Sequence, residues 1–236
     1  MTCDAPDATT GLRTGAFSHL MHLIYSPPEM AVHVVPHPLV HDALCQLRDV
    51  KTDTEQFRSL ANRISVLLVA EALRDLPTER ATAQTPLERA EGRRVARDVV
   101  VVPVLRAGLG MLDAVLELLP SARVGHIGLQ RDESTAIASQ YYAKLPDNLP
   151  SSYVVLVDPM LATGGSAVAA LDVLKRAGAT NIRIVCIVAA PEGIALVEKF
   201  HPDVDIYTPV IDKGLNGQKY IVPGLGDFGD RLYGTC

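Results

Sequence analysis

The segment Val154-Val-Leu-Val-Asp-Pro-Met-Leu-Ala-Thr-Gly-Gly-Ser166 concentrates more usable chemistry than any other stretch of the chain. An aliphatic run ends in an acid, Asp158. Thr163, Gly164, Gly165 and Ser166 follow, and a helical pattern begins behind them. The order predicts strand, turn, helix. In an open parallel sheet, ligands collect outside the carboxyl ends of the strands. Such a turn offers several backbone N–H groups at a positive helix N-terminus. Glycine lets the chain approach an anion closely, and Thr and Ser add hydroxyl donors. The stretch Ala162 to Ser166 therefore reads as a phosphate cradle. The neighbouring carboxylate repels phosphate, so Asp158 suits hydroxyl groups, such as a ribose diol, or a hydrated metal ion.

Other phosphate-binding and hydrolytic signatures do not fit. No Gly-Lys-Ser/Thr occurs, which excludes a P-loop ATPase. Gly224-Leu-Gly-Asp-Phe-Gly229 matches G-x-G-x-x-G, but with Cys236 last it leaves no room for the helix and distant acid of a dinucleotide fold. No G-x-S-x-G nucleophile elbow is present. His33, His37 and His41 recur every four residues, the spacing of metal ligands on a helix. Pro36 and Pro38 oppose a continuous helix there, so they read as loop histidines.

The elements that must position the cradle follow from periodicity. A long helix is predicted from Thr52, where Thr52-x-x-Glu55 has a capping-box pattern and Phe57, Leu60, Ala61, Ile64, Leu67 and Leu68 keep helical spacing. Thr78 to Arg97 reads as a polar connection with some local structure. Strands are then expected at Val99–Leu105, Arg123–Leu129, Tyr153–Val157, Ile182–Val188 and Val204–Tyr207. Helices are expected at Leu109–Leu119, Ala167–Ala177 (ended by Gly178) and Pro191–Phe200. Arg131 to Ser152 lacks an apolar period and suits a long loop or hairpin over a site. The βαβ succession implies an α/β fold with a mainly parallel sheet flanked by helices. Residues 1–32 read as an N-terminal extension or arm, and residues 33–236 as one domain with a hood at about 131–152.

With these segments in place, a family resemblance becomes specific. Asp158–Ser166 resembles the phosphoribosyl-diphosphate loop of uracil phosphoribosyltransferases. Val102-Pro-Val-Leu-Arg-Ala-Gly-Leu-Gly-Met111, Ala189-Ala-Pro-Glu-Gly-Ile194 and Tyr220-Ile-Val-Pro-Gly-Leu-Gly-Asp-Phe-Gly-Asp230 match further family segments in the family's order. The likeness runs from about His37 to the C-terminus. It implies a type I phosphoribosyltransferase-like fold. The activity implied is transfer of the phosphoribosyl group of 5-phosphoribosyl 1-diphosphate to uracil, giving UMP and diphosphate, with magnesium held mainly through the donor. By the same likeness, Asp158, Pro159, Met160, Leu161 and the cradle Ala162, Thr163, Gly164, Gly165 and Ser166 bind the donor. Arg106 and Arg131 meet its diphosphate, Ile221, Gly226, Asp227 and Phe228 contact uracil within a base segment at 219–230, and Asp227 also approaches the donor. Asp227 and Arg131 are the candidate catalytic residues. A strained non-proline cis peptide is expected beside Arg106. The resemblance also implies a homo-oligomer, for which the long helix offers an apolar face, and admits GTP as an activator.

Composition narrows the alternatives. The chain has 22 Lys and Arg against 27 Asp and Glu, a net charge of −5, with 48% hydrophobic residues and no Trp. This is globular composition with an aliphatic core. The acidity argues against nucleic acid as a partner. No apolar run suits a membrane span. The scattered cysteines Cys3, Cys45, Cys186 and Cys236 suggest a reduced, cytoplasmic protein. Two other readings stay open at this point: a sensor of phosphoribosyl diphosphate or nucleotide built on the same fold, and a transferase for another nucleobase.

Overall fold

The computed structural model describes residues 30–131 and 138–235, with the side chains at 131 and 138 excepted. The extension before residue 30, residues 132–137 of the expected hood and Cys236 lie outside the described residues.

Strands β1 (Val32–Val34), β4 (Val99–Leu105), β5 (Arg123–Val124), β6 (His126–Arg131), β7 (Ala138–Lys144), β8 (Tyr153–Val157), β10 (Asn181–Val185) and β12 (Asp205–Thr208) form one sheet. Its order is β1-β12-β10-β8-β4-β6-β7, with β5 beside β4. All pairings are parallel except the β6–β7 hairpin. Helices α1 (Pro38–Arg48), α2 (Thr54–Ala72), α3 (Leu109–Leu118), α4 (Gly165–Arg176), α5 (Pro191–Phe200) and α6 (Phe228–Tyr233) cover it.

The central strands are hydrophobic throughout because both faces are covered. Successive side chains leave a strand on opposite sides. Val99, Val101, Val155 and Val157 join α1, α2, α3 and α6 in one core cluster. Val100, Val102, Val104, Val154 and Leu156 pack with Ala167, Ala170, Leu171 and Leu174 of α4 and Val197 of α5 in the other. The buried residues of α2 include Phe57, Leu60, Ala61, Ile64 and Leu68. The apolar face expected to be free for another subunit is therefore consumed within the chain.

Several boundaries differ from the expectation. Asp53, not Thr52, caps α2: its carboxylate accepts the Gln56 amide at 2.9 Å, while the Thr52 hydroxyl donates to Gln46 O at 2.5 Å. The polar connection is an exposed antiparallel ribbon, β2 (Thr78–Gln84) against β3 (Arg89–Val95), in register over its full length. The expected second strand is divided at Gly125 into β5 and β6. Likewise the expected fourth strand ends at Val185, and β11 (Val188–Ala189) pairs instead with β9 (Met160–Leu161). Helix α5 has the expected bounds, with Pro191 in its first turn.

The three spaced histidines separate. His33 lies in β1, stacked on Tyr207 with ring centroids 4.3 Å apart; His37 caps α1 by accepting the Leu39 amide; His41 lies within α1 rather than in a loop. No cluster of three or more metal-ligating side chains occurs among the described residues. At the edge of the sheet, Met30 packs against the core and the Ala31 amide donates to Asp205 Oδ1 at 3.1 Å.

Candidate active site

Strands β4, β8 and β10 end side by side, and the chain leaves each of them over the same edge of the sheet. At β8, Asp158 is the first residue past the strand, its amide donating to Val185 O at 3.2 Å. Pro159 and Leu161 are buried, and their carbonyls accept the amides of Ile187, Val188 and Ala190. They fasten the loop to the neighbouring strand. Gly164 precedes α4 at φ 80°, and a Cβ there would lie 2.7 Å from Gly193 O. Only glycine fits that left-handed, closely approached position. Gly193 is equally constrained, with Ala162 O and Leu161 O 2.6 and 2.7 Å from its own missing Cβ. The cradle thus rests on the first turn of α5, a support that Ala189–Ile194 did not reveal by residue type.

The opposite wall comes from the C-terminal segment. After β13 (Gly214–Leu215) and β14 (Ile221–Val222), an antiparallel pair, the Val222–Pro223 bond is cis. The chain then turns through Gly224 and Gly226 into α6. The expected base segment is helical from Phe228 onward. Asp227 is the helix cap, with Oδ1 accepting the Asp230 amide at 2.9 Å. Phe228 is 2% exposed and packs edge-to-face on Phe57 at 5.0 Å, so its ring belongs to the core. The G-x-G-x-x-G match therefore spans a turn and the first two residues of a six-residue helix next to an antiparallel pair, not a dinucleotide-binding βαβ unit.

Between the walls lies a cleft of about 310 Å³. Asp158, Met160, Ala162 and Ser166 line one side, and Ile221, Gly226, Asp227 and Phe228 the other. Gln218, Lys219 and Tyr220 complete the lining; Lys219 and Tyr220 fall within the expected base segment without an assigned contact, and Gln218 lies just outside it. Pro159, Leu161, Thr163, Gly164 and Gly165 stand behind or beside it. Arg106 is exposed on the bend after β4, at the neighbouring strand end, and does not line the cleft. The Leu105–Arg106 peptide is cis, as expected from the resemblance. Tyr233 of α6 donates its hydroxyl to Arg106 O at 3.1 Å, tying this bend to the C-terminal wall. Arg131 ends β6 opposite Ala138, and its side chain lies outside the described residues.

Buried chemistry behind the cleft is inert. Cys186 follows β10 with no exposed surface, and burial pushes its thiol up to about 12. A Thr208 hydrogen bond opposes that rise and the Asp158 charge adds to it. A thiol so protonated is not a nucleophile.

The C-terminal wall is clamped from below. Asp212 accepts from Arg48 at 2.8 Å with one oxygen and from the Gly224 amide at 2.9 Å with the other. Its side chain is 4% exposed and that of Arg48 22%. Glu192 Oε1 accepts the Leu215 amide, and Arg231 donates to Leu225 O and Asp49 O. Breaking a buried pair strands the other charge. Asp212→Ala is accordingly expected to cost about 3–5 kcal/mol in denaturant unfolding. Arg48→Met in the same background should recover part of that loss, and additive losses would show that the pair is not coupled.

A mainly parallel sheet flanked by helices, with a glycine-bearing strand-to-helix turn at the end of a central strand, is the architecture of a type I phosphoribosyltransferase. Residues 34–235 match the family model described as uracil phosphoribosyltransferase, and the chain belongs to that family. It is 52% identical over 205 residues to the uracil phosphoribosyltransferase of Bacillus licheniformis, covering 86% of this chain and 98% of that one. It is 54% identical over 205 residues to the one from Dictyoglomus turgidum, covering 86% and 99%. Among solved structures, an Aquifex aeolicus protein superposes with a TM-score of 0.82 at 36% identity, covering 86% of this chain and 97% of that chain.

Proposed function

We propose that this protein transfers the phosphoribosyl group of 5-phosphoribosyl 1-diphosphate to uracil, forming UMP and releasing diphosphate. The observation that carries the reading is the single cleft in which Asp158, Ala162 and Ser166 face Ile221, Gly226 and Asp227. The cradle at the start of α4 holds the 5-phosphate, using backbone N–H groups, the helix end and the hydroxyls of Thr163 and Ser166. Asp158 accepts hydrogen bonds from the ribose hydroxyls. The flat, neutral base lies along the turn from Ile221 to Phe228 and is read by backbone groups. Since the Phe228 ring is buried, any base contact from this residue falls to its main chain. Cytosine replaces a carbonyl acceptor by an amino group and would leave a donor of this wall unpaired, so it is rejected.

In the reaction, the bond from ribose C1 to the diphosphate oxygen breaks, the bond to uracil N1 forms, and the N1 proton departs. Positive character develops at the sugar while a highly charged group leaves. Arg106 and Arg131 stabilise the departing charge. Asp227, with one oxygen engaged by the Asp230 amide, is the carboxylate beside the base and the candidate acceptor of its proton.

The residues also fit magnesium. Two carboxylates, Asp158 and Asp227, line the cleft as hard oxygen donors without a dedicated cage. That donor set suits an ion bound mostly through substrate phosphates. When bound, magnesium neutralises the diphosphate.

A homo-oligomer is part of the reading. The β2–β3 ribbon is exposed on both faces, and an isolated two-stranded ribbon is marginally stable in water, so a second copy is its natural cover. A reduced, cytoplasmic setting agrees with free Cys45 and Cys186, and no described helix is long and apolar enough to cross a membrane.

The deciding assay supplies labelled uracil, hypoxanthine or cytosine with the donor and magnesium. UMP from uracil alone is expected. Product from hypoxanthine instead would make the base specificity wrong, and donor binding without product from any base would favour a sensor.

A further inference from the structure

We propose that Lys219 is an anion contact of this site, placing its ammonium against the phosphorylated donor. The assignment rests on the donor reading above and extends it to the first residue of the base segment, which has no role of its own in that reading.

The position is unusual in its backbone. Lys219 has φ 66° and is the one described residue other than glycine with a positive φ. The left-handed region is costly for a side-chain-bearing residue, and glycine is the usual occupant. A glycine is in fact nearby, but Gly217 stands where no positive φ requires it, and lysine stands where one does. Asn216 holds the turn in place. Its Oδ1 accepts the Gln218 and Tyr220 amides at 3.0 Å each, its amide donates to Tyr220 O at 2.9 Å, and its carbonyl accepts the Lys219 amide at 2.9 Å. Strain maintained by an over-determined turn is a mark of functional segments.

The charge balance of the cleft says what the side chain is for. Asp158 and Asp227 both line it, and Lys219 is the one cation among its lining residues. A donor with a 5-phosphate and a diphosphate carries several negative charges. Entering beside two carboxylates, it needs a compensating positive field. Arg106 stands on the adjacent bend, outside the lining. Lys219 is exposed and has no ion-pair partner among the described residues, unlike Lys175, which pairs with Asp203 at 2.5 Å. Its compact charge on a long flexible stem suits phosphate without fixed two-pronged geometry.

The test uses the full chain and titrates 5-phosphoribosyl 1-diphosphate with magnesium by calorimetry, without uracil, beside thermal melts. Lys219→Gly relieves the left-handed backbone, so its melting midpoint should rise while donor affinity falls by about fivefold. A change that stabilises the fold yet weakens the ligand is not the pattern of structural damage. Lys219→Gln should weaken the donor similarly, and Lys219→Arg should stay within about twofold of wild type. Lys213→Gln removes the same charge outside the cleft and should leave affinity unchanged. Unchanged affinity in Lys219→Gly and Lys219→Gln, or an equal loss in Lys213→Gln, overturns the assignment. Donor binding by wild type without UMP formation overturns the uracil reading alone, with Lys219 still judged by the same titrations. Absence of donor binding by wild type overturns both.

Discussion

Asp158→Ala is expected to lower kcat/KM for the donor by about a hundredfold or more while the protein stays folded. The carboxylate sits at the end of a strand whose neighbours hold it on both sides, from Tyr153 to Val157, in unbroken register. Burial of Val154, Val155, Leu156 and Val157 does not depend on the acid that follows them. The fold therefore tolerates its loss, and the melting midpoint should move little. Catalysis is expected not to tolerate it, because in the proposed reading the placement of the sugar relative to the base depends on fixing the ribose between cradle and C-terminal wall. Asp158→Asn keeps an acceptor but loses the charge that strengthens hydrogen bonds to hydroxyls, so it should fall between wild type and alanine. Steady-state kinetics in both substrates, with thermal melts of each variant, decide the matter. Turnover near wild type in Asp158→Ala would remove this residue from the site.

The strand that ends at Asp158 was readable because burial on both faces leaves a continuous aliphatic run, and the turn behind it was readable because its glycines stand together between that run and a helical pattern. The same logic explains what stayed hidden. The β2–β3 ribbon is exposed at every residue but the half-buried Ala81, so neither an alternating nor an apolar pattern betrays it; its residues, Arg80, Glu91 and Arg93 among them, look like a solvated connection. Helix α6 is six residues long and begins just after Gly224 and Gly226, whose turn signal outweighs any helical period. Its start is marked by Asp227, a candidate site residue whose carboxylate caps the helix. At α2, two adjacent residues offered caps. Asp53 holds that position, while the Thr52 hydroxyl is occupied by the end of α1. The supports of the site are long-range: Gly193 under Gly164, Asp212 beneath Gly224, Tyr233 on Arg106. Each depends on which strand ends lie side by side, information that residue types do not carry.

That dependence on a shared edge gives the remaining large effect, at Gly108. A Cβ at this residue would lie 2.5 Å from Val157 O and 2.6 and 2.7 Å from Val104 N and O. All three are backbone atoms of strands fixed in the centre of the sheet, so no side chain can swing away to make room. Gly108→Ala must push the bend off the ends of β4 and β8, and with it the Arg106 backbone that Tyr233 holds. The expected loss is about 3 kcal/mol, the upper end for overpacking. For a chain of this size that corresponds to a fall of roughly 6–12 °C in melting midpoint. Turnover should collapse with it. Arg106→Ala separates the two effects, because an exposed side chain contributes little to the fold. This variant should melt close to wild type and lose donor affinity and rate through the diphosphate alone. If Gly108→Ala melts like wild type, the bend is looser than its contacts imply. If Arg106→Ala responds normally to the donor, the bend shapes the edge of the sheet and its arginine is bystander to the chemistry.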